Sequence, residues 1–388
     1  MPDGRDAVPI KVLASLSEVD AAAWNACAGE DNPFVRHEFL SALEDSGSAT
    51  ARTGWAARHL VIEAPEGGLA ACAPLYLKSH SYGEYVFDWG WADAYERAGG
   101  RYYPKLQCAV PFTPVTGRRL LVNPALPAAQ AGEMEAALAA GMVQLARNLG
   151  VSSVHVTFPT EGEWQHLGEA GYLQRIGQQF HWENKGFATF DDFLAELSSR
   201  KRKNIRKERE AVAEAGLDIR VLEGCEVTEA QWDAFFRFYM DTSDKKWGQA
   251  YLSRNFFSLL GERLPDAVVL VLVEKQGLPV AGALNLRGDD TLYGRNWGCV
   301  EDYRFLHFEA CYYQAIDYAI AKGLRWVEAG AQGPHKIQRG YLPRRTYSAH
   351  WIADPRFRDA VARFLEDEAR GVAREMAALG TLSPFRNS

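Results

Sequence analysis

Between Gly330 and Trp351 the chain reads GAQGPHKIQRGYLPRRTYSAHW. His335, Lys336 and Arg339 leave an apolar run, LRWVEAG at 324–330, together, with Gly330, Gly333 and Gly340 among them. Glycine permits positive φ or close backbone approach, and open α/β sheets bind ligands at strand ends. Cations grouped there can bind a phosphate or carboxylate, or steady an oxyanion; a basic surface loop is the plainer reading. Glu328 lies inside the run, where a carboxylate needs a partner. It reads as half of an ion pair, or as a base whose pKa burial has raised. Upstream, LYGRNWG puts Arg295 and Trp297 on alternate positions, hence on one face, of a strand. HFEA then puts His307 and Glu309 at the start of a helix, where the dipole favours negative charge. Glu309 reads equally as a catalytic carboxylate or a first-turn acid, and His307 as a catalytic, capping or packed histidine.

A second group is basic. In FDDFLAELSSRKRKNIRKEREAVAEAG, seven of the ten residues from 200 to 209 are Lys or Arg, and only Glu208 interrupts them as an acid. Leu194, Leu197, Ile205 and Val212 can share an apolar stripe at helical spacing. Off that stripe Arg202, Arg206 and Arg209 line up, with Lys203 and Lys207 beside them. Such a face offers forked and point-charge donors to phosphate oxygens; a solvated helix face is the alternative. The first half looks poorer in chemistry. PFTPVTGRRLL offers Thr116, Gly117, Arg118 and Arg119, and an aromatic stretch from Tyr85 to Leu106 contains Asp88, Asp93 and Tyr102.

The bulk composition narrows the classes. The chain has 388 residues, 47% of them apolar, which suits two domains. A net charge of −7 argues against a general nucleic-acid coat and for no DNA partner, while leaving room for a local basic site. Six scattered cysteines without C-x-x-C, and no H-E-x-x-H, give neither a metal site nor a disulfide framework. The run AVVLVLV at 267–273 is too short to span a bilayer, and MPDGRDAVPI lacks an apolar leader. The expectation is a cytoplasmic protein without a transmembrane segment.

The elements that must position these residues occur twice. IKVLASLSEVDAAAWNA at 10–26 resembles IRVLEGCEVTEAQWDA at 219–234, RHEFLSALE at 36–44 resembles RNFFSLLGE at 254–262, and WGWADAY at 89–95 aligns on WGCVEDY at 297–303. Each half reads strand, helix, helix, hairpin, strand, helix, strand. The hairpins are HLVIEA–PEGG–LAACAPLYLK and VVLVLVEK–QG–LPVAGALNLR, with glycine at the turn. The later helices end at Gly150 and Gly323, a common stop signal. The expected class is α/β (α+β), with a mixed central sheet flanked by helices in each half. Residues 1–185 form the first domain, 186–217 a basic connecting helix and 218–388 the second. The terminal helix packs back through Phe357, Val361, Phe364 and Leu365.

This element order resembles the GNAT acyltransferase fold, and two copies in tandem resemble the Fem-type aminoacyl transferases. The segments NPFVRHEFLSALEDSG, VPFTPVTGRRLLV, LYGRNWGCVEDYRFLHFEACYYQAIDYAI and GAQGPHKIQRGYLPRRTYSAHW resemble a bacterial FemAB-like family named for peptidoglycan biosynthesis or recognition. The Q/R-x-x-G-x-G/A pyrophosphate turn of ordinary GNAT enzymes is missing: TPVTGRRLL has one glycine and DYRFLHFEA none. The resemblance implies transfer of an aminoacyl or acyl group to an amine of a cell-wall precursor or similar phosphorylated acceptor. The donor, aminoacyl-tRNA or acyl-CoA, stays undecided, and no tightly held cofactor is implied. By the same resemblance Lys203, Asn204 and Arg206 match a segment near substrate or tRNA phosphates, and Lys336 matches a substrate-facing lysine. The rival readings are an acyl-CoA-dependent N-acetyltransferase with a non-standard CoA site, and a protein that binds precursor or tRNA without chemistry.

Overall fold

The computed structural model describes residues 8–246, 250–331 and 333–386. They form two compact units: the first takes residues up to 30, 34–177 and 346–370, and the second 31–33, 178–345 and 371–388. This division differs from one at 185 and 217. The basic helix, Ser199–Ala213, is not a separate connector. Its Ile205 and Val212 are buried in the second unit, each 2% exposed. The end of the chain is also shared out. Val361 and Leu365 pack with Trp91 and Tyr102 in the first unit, whereas Phe364 of the expected stripe is 48% exposed. In the second unit Phe385 bridges to Leu197.

In the first unit Trp55–Ala57, Leu75–Lys78, Lys105–Cys108 and Ser153–Thr157 are neighbours in that order, and residues 348–352 add antiparallel to Ser153–Thr157. Lys105–Cys108 and Ser153–Thr157 run parallel, joined by the crossover helix Ala128–Leu149, which Gly150 stops in the left-handed region at φ 64°. The helix packs Leu138 and Met142 against Val154 and Val156. The hairpin expected here forms between His59–Glu63 and Leu69–Ala73, but its second arm stops at Pro74 and the continuing LYLK pairs elsewhere. His59–Glu63 and Leu69–Ala73 belong to a small separate sheet with Lys11–Leu13 and Leu121–Val122. Pro74, which has no N–H for a ladder, marks the change of sheet.

The second unit keeps its hairpin whole. Val268–Lys275 and Leu278–Arg287 pair antiparallel across Gln276 and Gly277, both at positive φ, as a two-residue turn of the primed type requires. Asp218–Glu223 flanks one side. Thr291–Cys299, Trp326–Glu328 and residues 181–183 follow on the other. Val268–Lys275 is buried over six successive residues, as a central strand covered on both faces should be. One matched pair of segments separates here: WGWADAY lies in the helix Trp89–Arg97, while WGCVEDY begins as the end of the strand Thr291–Cys299. The strand of the first unit equivalent to Thr291–Cys299 is Lys105–Cys108, since each is the parallel partner of the strand after the crossover helix.

Candidate active site

In the second unit Thr291–Cys299 pairs in parallel with Trp326–Glu328 at Thr291–Trp326, Leu292–Val327 and Tyr293–Glu328. It then continues through residues 294–299 against Leu278–Arg287 alone. The register shifts between Leu284 and Asn285, so Arg295 is the extra residue of a β-bulge, a device that re-aims side chains beside active sites. Arg295 and Trp297 therefore share this parting strand. Gly294 sits so close to the end of its partner that a Cβ there would lie 3.1 Å from the Glu328 carbonyl oxygen.

Glu328 is the last residue of its strand and pairs across the sheet with His181. His181 Nε2 stands 3.8 Å from Glu328 Oε1, too far for a hydrogen bond. Burial, helped by Arg344 and Lys336, pushes the His181 pKa down to about 3, so the ring stays neutral. Beyond Glu328 the chain turns at Gly330 and forms the short 3-10 helix Pro334–Arg339. Lys336 is 5% exposed and points back, donating to the carbonyl oxygens of Ala329 and, at 3.2 Å, Gly330. His335 is exposed, and Tyr312 Oη lies 3.1 Å from its Nε2. Partial burial, then Arg339 and Lys336, lower its pKa. His307 is the hub of an aromatic group: its ring centroid lies 5.5 Å from Trp297, 5.3 Å from Tyr312 and 6.3 Å from His335.

The helix that carries His307 begins with Leu306–Phe308 and passes at once into a π-helical turn, Glu309–Tyr313, an irregularity often found at functional sites. Glu309 is buried there rather than standing on a solvated first turn. Its Oε1 accepts from Arg209 at 3.0 Å and Gln314 at 2.8 Å, and burial raises its pKa. Arg209 also binds Asp317 at 2.7 Å and lies 4.5 Å over the Phe190 ring. Arg339, 6% exposed, donates to Glu208 at 2.7 Å and stacks 3.4 Å over Phe308. Of the basic helix, Lys203, Asn204, Arg206 and Lys207 face solvent, and Arg206 makes an exposed ion pair with Asp191.

The expected residues thus divide by location within this unit. Trp297, His307 and His335 share one aromatic group, Lys336 holds the chain directly after Glu328, and Arg295 lies in the bulge of the strand beside it; Glu309 and Arg339 are tied to the basic helix; Lys203, Asn204 and Arg206 form its outer face. Sequence reasoning passed over Glu208, His181, Tyr312 and Tyr313. Glu208 carried a signal, as the single acid among seven cations.

The first unit differs at the equivalent place. Its third parallel pair is Cys108–Val156, where the second unit has Tyr293–Glu328. Past its strand end lies the buried guanidinium of Arg119, which donates to carbonyl oxygens of Thr157 at 3.0 Å, Gly117 at 3.0 Å, Arg118 at 3.1 Å and Val115 at 2.6 Å. At the other end of the same strands Lys78 and Lys105 are register partners, and both are fully buried. Lys105 donates to Glu84 at 2.7 Å, Ser81 at 2.8 Å and Asp88. Tyr102 donates to Asp88 at 2.7 Å, and Lys78 lies 3.6 Å over the Trp55 ring. Burial pushes Glu84 up to about 7 and Lys78 down to about 7, while Lys105 holds Asp88 far below the usual range against the opposing effect of burial.

Among the described residues no helix is long and apolar enough to cross a membrane. No curated protein matches the sequence. The fold is similar to that of FemX, at TM-score 0.55 and 11% identity, covering 91% of this chain and all of that one (100%). It is also similar to the C-terminal domain of a putative lysylphosphatidylglycerol synthetase from Agrobacterium fabrum, at TM-score 0.56 and 11% identity, covering 92% and 96%. L-PGS from Bacillus licheniformis follows at TM-score 0.51 and 10% identity, covering 87% and 98%. These likenesses show the fold, a mixed α/β chain in two units. A family model matches residues 15–387, and the chain belongs to the FemAB-like family, peptidoglycan biosynthesis/recognition, a class of acyl- and aminoacyl-transferring proteins.

Proposed function

We propose that the protein transfers an aminoacyl group from aminoacyl-tRNA to an amine of a phosphorylated cell-wall precursor, with the chemistry in the second unit. The observation that carries this reading is the Tyr293–Glu328 pair at the parting of the parallel strands. An acyl carbonyl seated beside residues 294–297 would meet a bulged strand on one side and Glu328, His335 and Lys336 on the other. Attack by an amine requires loss of its proton, positioning of both reactants and stabilisation of the oxyanion. Glu328 is the proposed base, with neutral His335 able to pass the proton outward. Lys336 fixes the strand end and sets the local positive potential. The outer face of the basic helix, Lys203, Asn204 and Arg206, supplies phosphate contacts.

The turn before His307 favours aminoacyl-tRNA over acyl-CoA. Where a CoA pyrophosphate would lie at a helix N-terminus, this chain has exposed Glu301 and Asp302, and Phe305 in the left-handed region. Two carboxylates repel a pyrophosphate there. The test is transfer of labelled amino acid from a bacterial aminoacyl-tRNA pool to a UDP-linked peptidyl amino sugar, with acetyl-CoA as the competing donor. Glu328→Gln should lower turnover by about 10²-fold or more. Turnover from acetyl-CoA alone would move the assignment to an N-acetyltransferase. Binding of the precursor without turnover from either donor would make this a recognition protein.

A further inference from the structure

We infer that Glu208 is a positioning residue: it ties the basic helix to the segment that carries His335 and Lys336. This deepens the transferase reading above and rests on it. The segment Pro334–Arg339 is a single short 3-10 helix bounded by Gly333 at φ 98° and Gly340 at φ 89°. Neither hinge tolerates a side chain easily. A Cβ on Gly340 would meet the Phe193 ring at 2.9 Å, and one on Gly333 would meet the His335 ring at 2.3 Å. A segment hung between two left-handed glycines has little local rigidity of its own. Its placement must come from its side chains.

Those side chains converge on one carboxylate. Arg339 Nη2 donates to Glu208 Oε1 at 2.7 Å, and Tyr313 Oη donates to Glu208 Oε2. The same guanidinium donates through Nη1 to the His335 carbonyl oxygen at 2.9 Å and lies flat on Phe308 at 3.4 Å. Glu208 thereby joins the helix Ser199–Ala213, the π-helical turn Glu309–Tyr313 and the 3-10 helix at a point where its side chain is 14% exposed and that of Arg339 is 7% exposed. On the far side of the segment Lys336 closes the loop onto Ala329 and Gly330, directly after the strand of Glu328. Glu208 touches no reacting atom; it acts through Arg339 on the placement of Lys336 and His335.

The test uses the full chain with Glu208→Gln, Arg339→Met and the double variant. Reductive methylation by formaldehyde, read by peptide mass spectrometry, reports whether Lys336 stays shielded in the folded protein. Thermal melts run alongside confirm that each variant is folded. Glu208→Gln keeps the side-chain shape and an acceptor for Tyr313 while removing the charge. Lys336 should label at least about tenfold faster in each single variant, and the double should label no faster than the faster single, because both break one tie. Transfer of amino acid from the aminoacyl-tRNA pool should then fall about 10²-fold in kcat with KM for tRNA unchanged, as expected for a displaced group rather than a lost contact. Unchanged Lys336 labelling in Glu208→Gln overturns the inference, and so does faster labelling with kcat intact. A wild type inert with every donor sinks the transferase reading, while the labelling arm still decides whether the tie exists.

Discussion

Replacing Lys105 by Met removes the central cation of the buried cluster in the first unit. Glu84 and Asp88 both rest on it, and one oxygen of each has no hydrogen-bond partner among the described residues. Lys78, 3.9 Å from Glu84, is the remaining cation within reach. Losing one partner of a buried ion pair strands an uncompensated charge and costs about 3–5 kcal/mol. For a unit of this size roughly 2–4 °C accompanies each kcal/mol, so a melt at pH 8 should drop by roughly 6–20 °C. The pH dependence separates this cause from simple loss of packing. Glu84 already has its pKa raised from 4.5 to about 7. The folded state therefore holds more protons on it than the unfolded state between those values, and its contribution to stability falls as pH rises through that window. Without Lys105 both carboxylates shift further up, so at pH 5.5 they are neutral acids and the penalty shrinks. The assay is circular dichroism or calorimetric melting of wild type and Lys105→Met at pH 5.5 and pH 8, with Glu84→Gln added to the variant as a rescue. A loss equal at the two pH values, or no rescue at pH 8, refutes the stranded-charge argument.

Gly340→Ala should cost about 1–3 kcal/mol, combining a left-handed backbone with the contact to Phe193, and should lower the melting temperature of the second unit. The lowered pKa of His335 places its neutral form at pH 7; the acid limb of kcat/KM should therefore lie below 6.5 if this ring carries the proton, and His335→Gln should abolish that limb. Lys203→Ala with Arg206→Ala should weaken tRNA binding by filter assay and flatten its salt dependence, the log–log slope losing about one to two. An unchanged slope would remove the outer face of the basic helix from the phosphate path.

The repeated order of elements was legible because period-2 and period-3.6 patterns survive duplication. The unbroken hairpin at Gln276–Gly277 carried its turn chemistry openly, and so did the helix stops at Gly150 and Gly323. Three things were not legible. WGWADAY and WGCVEDY look alike, yet one is helix and the other strand end and turn, because seven residues of shared letters do not set a period and the surrounding contacts decide. The cluster of Lys78, Glu84, Asp88 and Lys105 was hidden because sequence separates its members and their burial is a tertiary fact. At the candidate site the residue types were visible, and so was their gathering after the strand of Glu328. Their division between the strand end and the basic helix was not, because whether a cation faces solvent or, like Arg209 and Arg339, a buried acid depends on the turn of each helix against its neighbours.

Arg119 gives the first unit a property of a mould. Its guanidinium occupies a socket in which four carbonyl oxygens accept from it, with the Glu163 carboxylate held nearby on the Arg119 backbone N–H, so the socket is shaped for a planar cation. Shortening that side chain to alanine would leave an imprint that free guanidinium or a small alkylguanidine can refill. A duplicated domain that has no base at its third parallel pair thus carries a ready receptor for a drug-like switch, through which the stability of one unit could be set from outside by dosing a small cation.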